Sequence, residues 1–167
     1  ARIIPNIDAD HTSTYNQNDA KLTEAVINFT SNLPFYGICV ACTDDKGVQD
    51  ILKKIHRPVL SYGFNGEADV KASNIKQDKM QMKFDVSCHK YQKNFPVSLN
   101  LIGRHNILNA LAAISVALEL DISIDNIQNA LSNLSGVSRR LDYHQELTIN
   151  NQDIPFFADY GHDPHEI

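Results

Sequence analysis

Short apolar runs alternate with amphipathic segments over the first 62 residues, and this alternation restricts the possible folds more than any other feature of the chain. Residues 36–42 form a nearly continuous apolar run, which is typical of a strand covered on both faces. Residues 2–4 and 58–62 form two further short apolar runs. Strands that alternate with helices in this way predict an α/β fold built on a mostly parallel sheet flanked by helices.

The two segments between these strands have the periodicity of helices that pack on a sheet. Residues 20–33 predict one helix, which Asn18 or Asp19 can cap and which Pro34 follows. A turn at residues 44–47 precedes the second helix. The apolar residues expected in the buried stripes are Leu22, Ala25, Val26 and Phe29 in the first helix and Val48, Ile51, Leu52 and Ile55 in the second.

The pattern then changes to an alternation of apolar and polar residues, which is typical of half-exposed strands. Residues 68–101 therefore predict a small antiparallel sheet beside the parallel one. Helical periodicity returns at residues 104–120 and 124–134. Two further strands are predicted at residues 141–149 and 154–160.

A domain boundary is predicted near residues 138–142, where a segment that contains Ser and Gly ends in two arginines. Residues 1–140 then belong to one domain, and residues 141–167 begin a second. The chain opens without Met on a strand and stops after a cluster of polar residues. We therefore expect it to be part of a larger protein.

Composition excludes several classes of partner. The chain of 167 residues has a net charge of −5, and its lysines and arginines are scattered, so no basic stripe indicates a nucleic acid or an anionic membrane surface. No apolar run approaches the roughly 20 residues of a membrane span. Three cysteines, an odd number, argue against a disulfide framework and favour a reducing cytoplasm. Composition leaves the oligomeric state open.

Cys39 and Cys42 have the spacing of a redox or zinc motif. They lie within a predicted strand, where residues three apart point to opposite faces, and no second pair completes a zinc site. We predict that both are core residues.

A polar segment opens the helix predicted from residue 104. His105, Asn106 and Asn109 stand three or four residues apart, so their side chains can share a helix face. A carboxamide presents a donor beside an acceptor, which matches the edge of an adenine. The alternative is an ordinary helix start, where Asn is favoured for local reasons.

The segment 6–11 follows the first predicted strand and contains Asp8, Asp10 and His11. Ligands of open α/β sheets bind at the carboxyl ends of the strands, and carboxylates with an imidazole can hold a divalent cation. The alternative is a polar loop with local turn bonds.

Two further groups of polar residues lie towards the end of the chain. Arg140 has the planar guanidinium that clamps a phosphate bidentately, or it is a solvated basic residue. Asp159, Tyr160 and His162 follow an apolar strand, where they can hold ribose, metal or phosphate, or form a polar loop that Pro164 closes.

The order of these blocks resembles that of the Mur ligases, the ATP-dependent amide-forming enzymes of peptidoglycan synthesis. The resemblance lies in residues 103–113, 136–140 and 159–164 and spans essentially the whole chain. Residues 6–11, with Tyr15 shortly after, and residues 32–37 narrow it to the branch that joins L-alanine to UDP-N-acetylmuramate. The nearest alternative is the branch that attaches recycled murein tripeptide.

The resemblance implies a P-loop NTPase-like central domain followed by the start of a C-terminal domain. It implies ATP and Mg²⁺ or Mn²⁺ as cofactors, UDP-N-acetylmuramate and L-alanine as substrates, and an acyl-phosphate intermediate. The family's Gly-rich phosphate loop with its Lys, and its upstream metal-binding Glu, have no counterpart in these residues, so we expect no activity from this piece alone. A non-catalytic adenine-nucleotide-binding or interaction module remains the alternative from a different class.

The resemblance also assigns roles to single residues. It makes His11 a metal ligand and places His105, Asn106 and Asn109 at the adenine. It implies that Arg140 contacts the phosphates and that Asp159, Tyr160 and His162 begin the C-terminal nucleotide and substrate contacts, with Arg140, Asp159 and His162 as the catalytic residues. Departures from the family pattern at Ala158, Asp163 and His165 leave the detail of the C-terminal contacts open.

Overall fold

The computed structural model describes residues 1–7, 19–134, 142–149 and 152–158. The chain divides into two compact units, Ala1–Asn133 and Leu134–Ile167. This division of the chain does not test the predicted boundary between residues 140 and 141, which separates two domains of a larger protein. That boundary stays a prediction.

The first unit is built on one six-stranded sheet with the strand order β1-β2-β3-β4-β5-β6. The first four strands pair in parallel, as the alternation of strands and helices predicts, and β4, β5 and β6 pair antiparallel. The elements in chain order are β1 (Arg2–Ile4), α1 (Asp19–Ser31), β2 (Cys39–Cys42), α2 (Lys46–Leu52), β3 (Val59–Gly63), β4 (Val70–Asp78), β5 (Gln81–Cys88), β6 (Lys93–Leu99), α3 (Arg104–Glu119) and α4 (Ile124–Ser132).

Each face of the sheet has its own hydrophobic core. One core joins the inner faces of β2 to β6 to helices α3 and α4, and Leu60, Ile107 and Leu111 are fully buried in it. The other joins Ile4 and the opposite face of β2 to α2 and to the segment after α1. Burial on both faces explains why β2 is apolar at every position.

The prediction that Cys39 and Cys42 are core residues is confirmed. Both are buried, and they belong to the two different cores because positions three apart on a strand face opposite ways. Burial raises the pKa of the Cys39 thiol to about 11. It also raises the pKa of the Cys42 thiol, against backbone N–H groups of Asp44 and Asp45 that favour the thiolate. Neither thiol is therefore an activated nucleophile.

Two details of the predicted elements are wrong. Phe29 is 47% exposed rather than part of the buried stripe of α1, and the guanidinium of Arg2 lies 4.2 Å from its ring centroid. The second strand begins at Cys39 rather than at residue 36. Pro34 and Gly37 form a turn, with the Gly37 N–H donating to the Pro34 carbonyl at 2.8 Å, and this turn leaves Tyr36 exposed.

The antiparallel strands continue the parallel sheet instead of forming a separate sheet beside it. The junction is a short parallel pairing of β3 with β4, in which Tyr62 stands opposite Val70 and Gly63 opposite Lys71. Alternation of apolar and polar residues predicts that a strand is half-exposed but not which strand it pairs with.

The second unit contains a two-stranded antiparallel pair, β7 (Asp142–Ile149) and β8 (Gln152–Ala158). Both strands were expected from the sequence, and β8 begins two residues earlier than predicted. Among the described residues, no helix is long and apolar enough to cross a membrane.

Candidate functional site

The start of α3 depends on a glycine. Gly103 is the N-cap residue, with φ of 100° and ψ of 142°, a conformation that L side chains rarely adopt. A Cβ at this position would lie 2.7 Å from Cε1 of His105, because the imidazole ring lies against the backbone of Gly103. The glycine therefore permits the positive φ at the start of the helix and leaves room for the imidazole beside the backbone.

The three polar side chains predicted to share a helix face differ in their environments. His105 and Asn109 are exposed on α3. Asn106 is half-buried, and its side-chain amide donates a hydrogen bond of 2.7 Å to the carbonyl of Ile102. Asn106 therefore makes the local hydrogen bond expected of an ordinary helix start, which was the alternative interpretation. This bond uses the side-chain N–H and leaves the side-chain carbonyl oxygen available to another donor. The predicted adenine role of all three residues stays a prediction.

The start of α3 lies at the carboxyl edge of the parallel strands. Phe64 follows β3 directly, and the guanidinium of Arg104 lies 4.4 Å from the centroid of its ring. Ligands of open α/β sheets bind at this edge. The fold therefore brings the polar start of α3 to the edge where a ligand is expected.

Two aspartates after β2 organise this edge, and the sequence interpretation assigned them only to a turn. Asp44 accepts a hydrogen bond of 2.7 Å from the Phe64 N–H and another from the Asn65 side chain. Asp45 caps α2 by accepting from the Val48 N–H at 2.7 Å, and it also accepts from the Ile7 N–H at 3.3 Å. Acidic residues directly after a buried strand were the signal that could have identified them.

The other predicted site residues lie outside the described residues. They are His11, Arg140, Asp159, Tyr160 and His162. Within the described ranges, no group of three or more His, Cys, Asp or Glu is placed to hold a metal ion. The predicted roles of these five residues stay predictions.

Gly103→Ala is expected to destabilise the protein by about 1–3 kcal/mol, because a side chain at a φ of 100° is strained and displaces His105. The matched control is Gly66→Ala, where the added Cβ would meet only the Lys71 Nζ at 3.9 Å. Thermal unfolding of the two variants measures the difference. Equal midpoints would contradict the strain assigned to Gly103.

A mixed sheet flanked by helices, with a polar helix start at the carboxyl edge of its parallel strands, places the chain in the class of open α/β-sheet domains. The model of the Mur ligase middle domain matches residues 1–117. The chain belongs to the Mur ligase family.

Sequence relatives point to one branch of this family. A curated relative from Vesicomyosocius okutanii, named UDP-N-acetylmuramate–L-alanine ligase, is 58% identical over 165 residues, which are 99% of this chain and 35% of the relative. A relative of the same name from Ruthia magnifica is 54% identical over 165 residues, again 99% of this chain and 35% of the relative. The chain therefore spans about a third of the length of the curated relatives that it matches.

A solved structure confirms the fold. The UDP-N-acetylmuramate–alanine ligase MurC from Thermotoga maritima superimposes with a TM-score of 0.80 at 22% identity, covering 98% of this chain and 35% of that one. At this identity the likeness shows the fold alone. It confirms the predicted α/β class, a mostly parallel sheet flanked by helices, while the antiparallel strands predicted beside that sheet continue it.

Proposed function

We propose that the chain is the central part of an ATP-dependent ligase that joins L-alanine to UDP-N-acetylmuramate in peptidoglycan synthesis, with residues 141–167 beginning its C-terminal domain. The observation that carries the proposal is the 58% identity, along 99% of this chain, to a relative of that name. The position of the α3 start at the carboxyl edge of the sheet supports it independently. The cytoplasm, which holds ATP, is the compartment that fits this reaction.

In the proposed reaction, the muramate carboxylate takes the terminal phosphoryl group of ATP, and the amine of L-alanine then attacks the acyl phosphate and releases phosphate. The difficulty is that two anions must meet, so catalysis depends on positioning and on positive charge. In this chain, His105, Asn106 and Asn109 are proposed to hold the adenine. Arg140 is proposed to contact the phosphates. Asp159, Tyr160 and His162 are proposed to contact nucleotide and substrate from the next domain.

Mg²⁺ or Mn²⁺ is proposed to neutralise phosphate charge, and His11 to be one of its ligands. The described residues contain no group of three or more His, Cys, Asp or Glu that could hold this ion by itself.

His11→Ala in the full-length protein is expected to raise the Mg²⁺ concentration for half-maximal activity by roughly tenfold or more, the scale found when metal-site side chains are removed. His56→Ala is the control, since His56 is exposed at the end of the α2 segment and has no proposed role. Phosphate release is measured across a magnesium titration. An unchanged magnesium dependence would remove His11 from the metal site.

The decisive experiment on the proposed function compares acceptors in the full-length protein. We expect ADP and phosphate to form from ATP with UDP-N-acetylmuramate only when L-alanine is added. Faster reaction with the murein tripeptide would instead support the recycling branch. ATP binding without turnover on either acceptor would support a nucleotide-binding module. We also expect the 167-residue chain alone to show no turnover.

A further inference from the structure

The carboxylate of Asp44 joins the ends of two neighbouring parallel strands. Asp44 follows β2, and both of its oxygens accept hydrogen bonds from the segment that follows β3, one from the Phe64 N–H at 2.7 Å and one from the Asn65 side chain. A single side chain therefore fixes both the backbone and the first polar side chain of that segment.

Two further hydrogen bonds join the ends of β2 and β3. The Thr43 N–H and hydroxyl both donate to the Tyr62 carbonyl, at 2.8 and 3.1 Å. A Cβ on Gly63 would lie 2.8 Å from the Thr43 hydroxyl oxygen and 3.0 Å from a carboxylate oxygen of Asp44. The lack of a Cβ at Gly63 leaves room for the Thr43 hydroxyl and the Asp44 carboxylate beside the backbone.

Phe64 connects the Asp44 carboxylate to the start of α3. Its backbone is held by Asp44, and its ring lies under the guanidinium of Arg104, the first residue of α3, at 4.4 Å. A cation over an aromatic face is attracted by the ring, so this contact links the first turn of α3 to the segment after β3. The next residue along the helix is His105, and Asn109 follows one turn later.

We propose that Asp44 is a positioning residue for the nucleotide site, acting through Phe64 and Arg104 on the first turn of α3. The proposal rests on the proposed function, because it requires that the start of α3 binds the nucleotide. Asp44 itself touches neither nucleotide nor substrate in this scheme. Its loss removes the hydrogen bonds that hold Phe64 beside the first turn of α3 and so lowers the affinity for ATP.

The test uses steady-state kinetics of the full-length protein. Asp44→Ala is expected to raise the KM for ATP about 3- to 10-fold and to leave the KM for L-alanine unchanged. Asp44→Asn retains one carbonyl for the Phe64 N–H and is expected to restore part of the affinity. The control is Asp85→Ala, which also removes a carboxylate bound to an asparagine amide, that of Asn74 at 2.7 Å, and is expected to leave the KM for ATP unchanged.

A second set of variants tests the contact between Phe64 and Arg104 while Asp44 stays in place. These variants remain informative if Asp44→Ala does not fold. Phe64→Leu and Arg104→Ala are each expected to raise the KM for ATP, and the double variant is expected to show no further increase. Fully additive effects would overturn the proposal.

The outcomes distinguish this inference from the function on which it rests. Wild-type ligation with an unchanged KM for ATP in the Asp44 variants overturns the inference alone. Absence of ATP-dependent ligation in the wild type overturns the proposed function and the inference together. An equal rise in the KM for ATP and for L-alanine, without recovery in Asp44→Asn, reduces Asp44 to a general structural role and also overturns the inference.

Discussion

Asn109→Ala in the full-length protein is expected to weaken ATP binding by about tenfold or more, because a paired carboxamide contact to adenine contributes roughly 1–3 kcal/mol. Asn109 is exposed on α3, one turn after the helix start. Its amide is therefore available to a base that approaches the carboxyl edge of the sheet. Alanine removes the donor and the acceptor together while keeping the helix, since alanine has the highest helix propensity.

Isothermal titration calorimetry with ATP measures this effect directly. The matched control is Asn126→Ala, which removes an exposed asparagine from the first turn of α4, where the cap is provided by Ser123. Asn109→Asp is a second probe, because it keeps the size of the side chain but replaces the amide donor with an acceptor. Unchanged ATP affinity in Asn109→Ala would contradict the adenine role.

The first half of the fold was predictable because its signals are local. β2 is apolar at each of its positions because it is buried on both faces, and the α2 stripe at Val48 and Ile51 is buried as its spacing predicts. Pairing of β3 with β4 was not predictable, because it depends on two residue pairs between segments whose own patterns differ. The periodicity of apolar residues indicates which side chains are buried. The order in which strands pair depends on contacts between distant segments, which periodicity does not reveal.

At the candidate site, the residue types indicated the possible chemistry but not the hydrogen bonds that position these residues. The polar start of α3 was recognisable, yet the sequence did not distinguish the Asn106 amide, which binds the Ile102 carbonyl, from the exposed Asn109. Asp44 was assigned to a turn, because its partners Phe64 and Asn65 are about 20 residues away along the chain. Long-range hydrogen bonds of this kind leave no periodic signal.

Leu111→Ala is expected to lower the free energy of unfolding by about 3 kcal/mol, within the 2–5 kcal/mol typical of buried leucines. Leu111 is 0% exposed in the core between α3 and the sheet, and α3 contacts β2, β3 and β4 there. The substitution removes apolar contacts and leaves a cavity that close-packed neighbours fill only in part.

Urea unfolding of the full-length protein measures the loss, and Leu120→Ala is the matched control because Leu120 is 67% exposed just after the same helix. Surface changes of this kind usually alter stability by less than about 0.5 kcal/mol. ATP affinity is expected to persist in Leu111→Ala below its unfolding transition, because the start of α3 keeps its contact with Phe64. Equal unfolding midpoints for the two leucine variants would mean that α3 is not anchored to the sheet as described, and the proposed nucleotide site at its start would lose its physical basis.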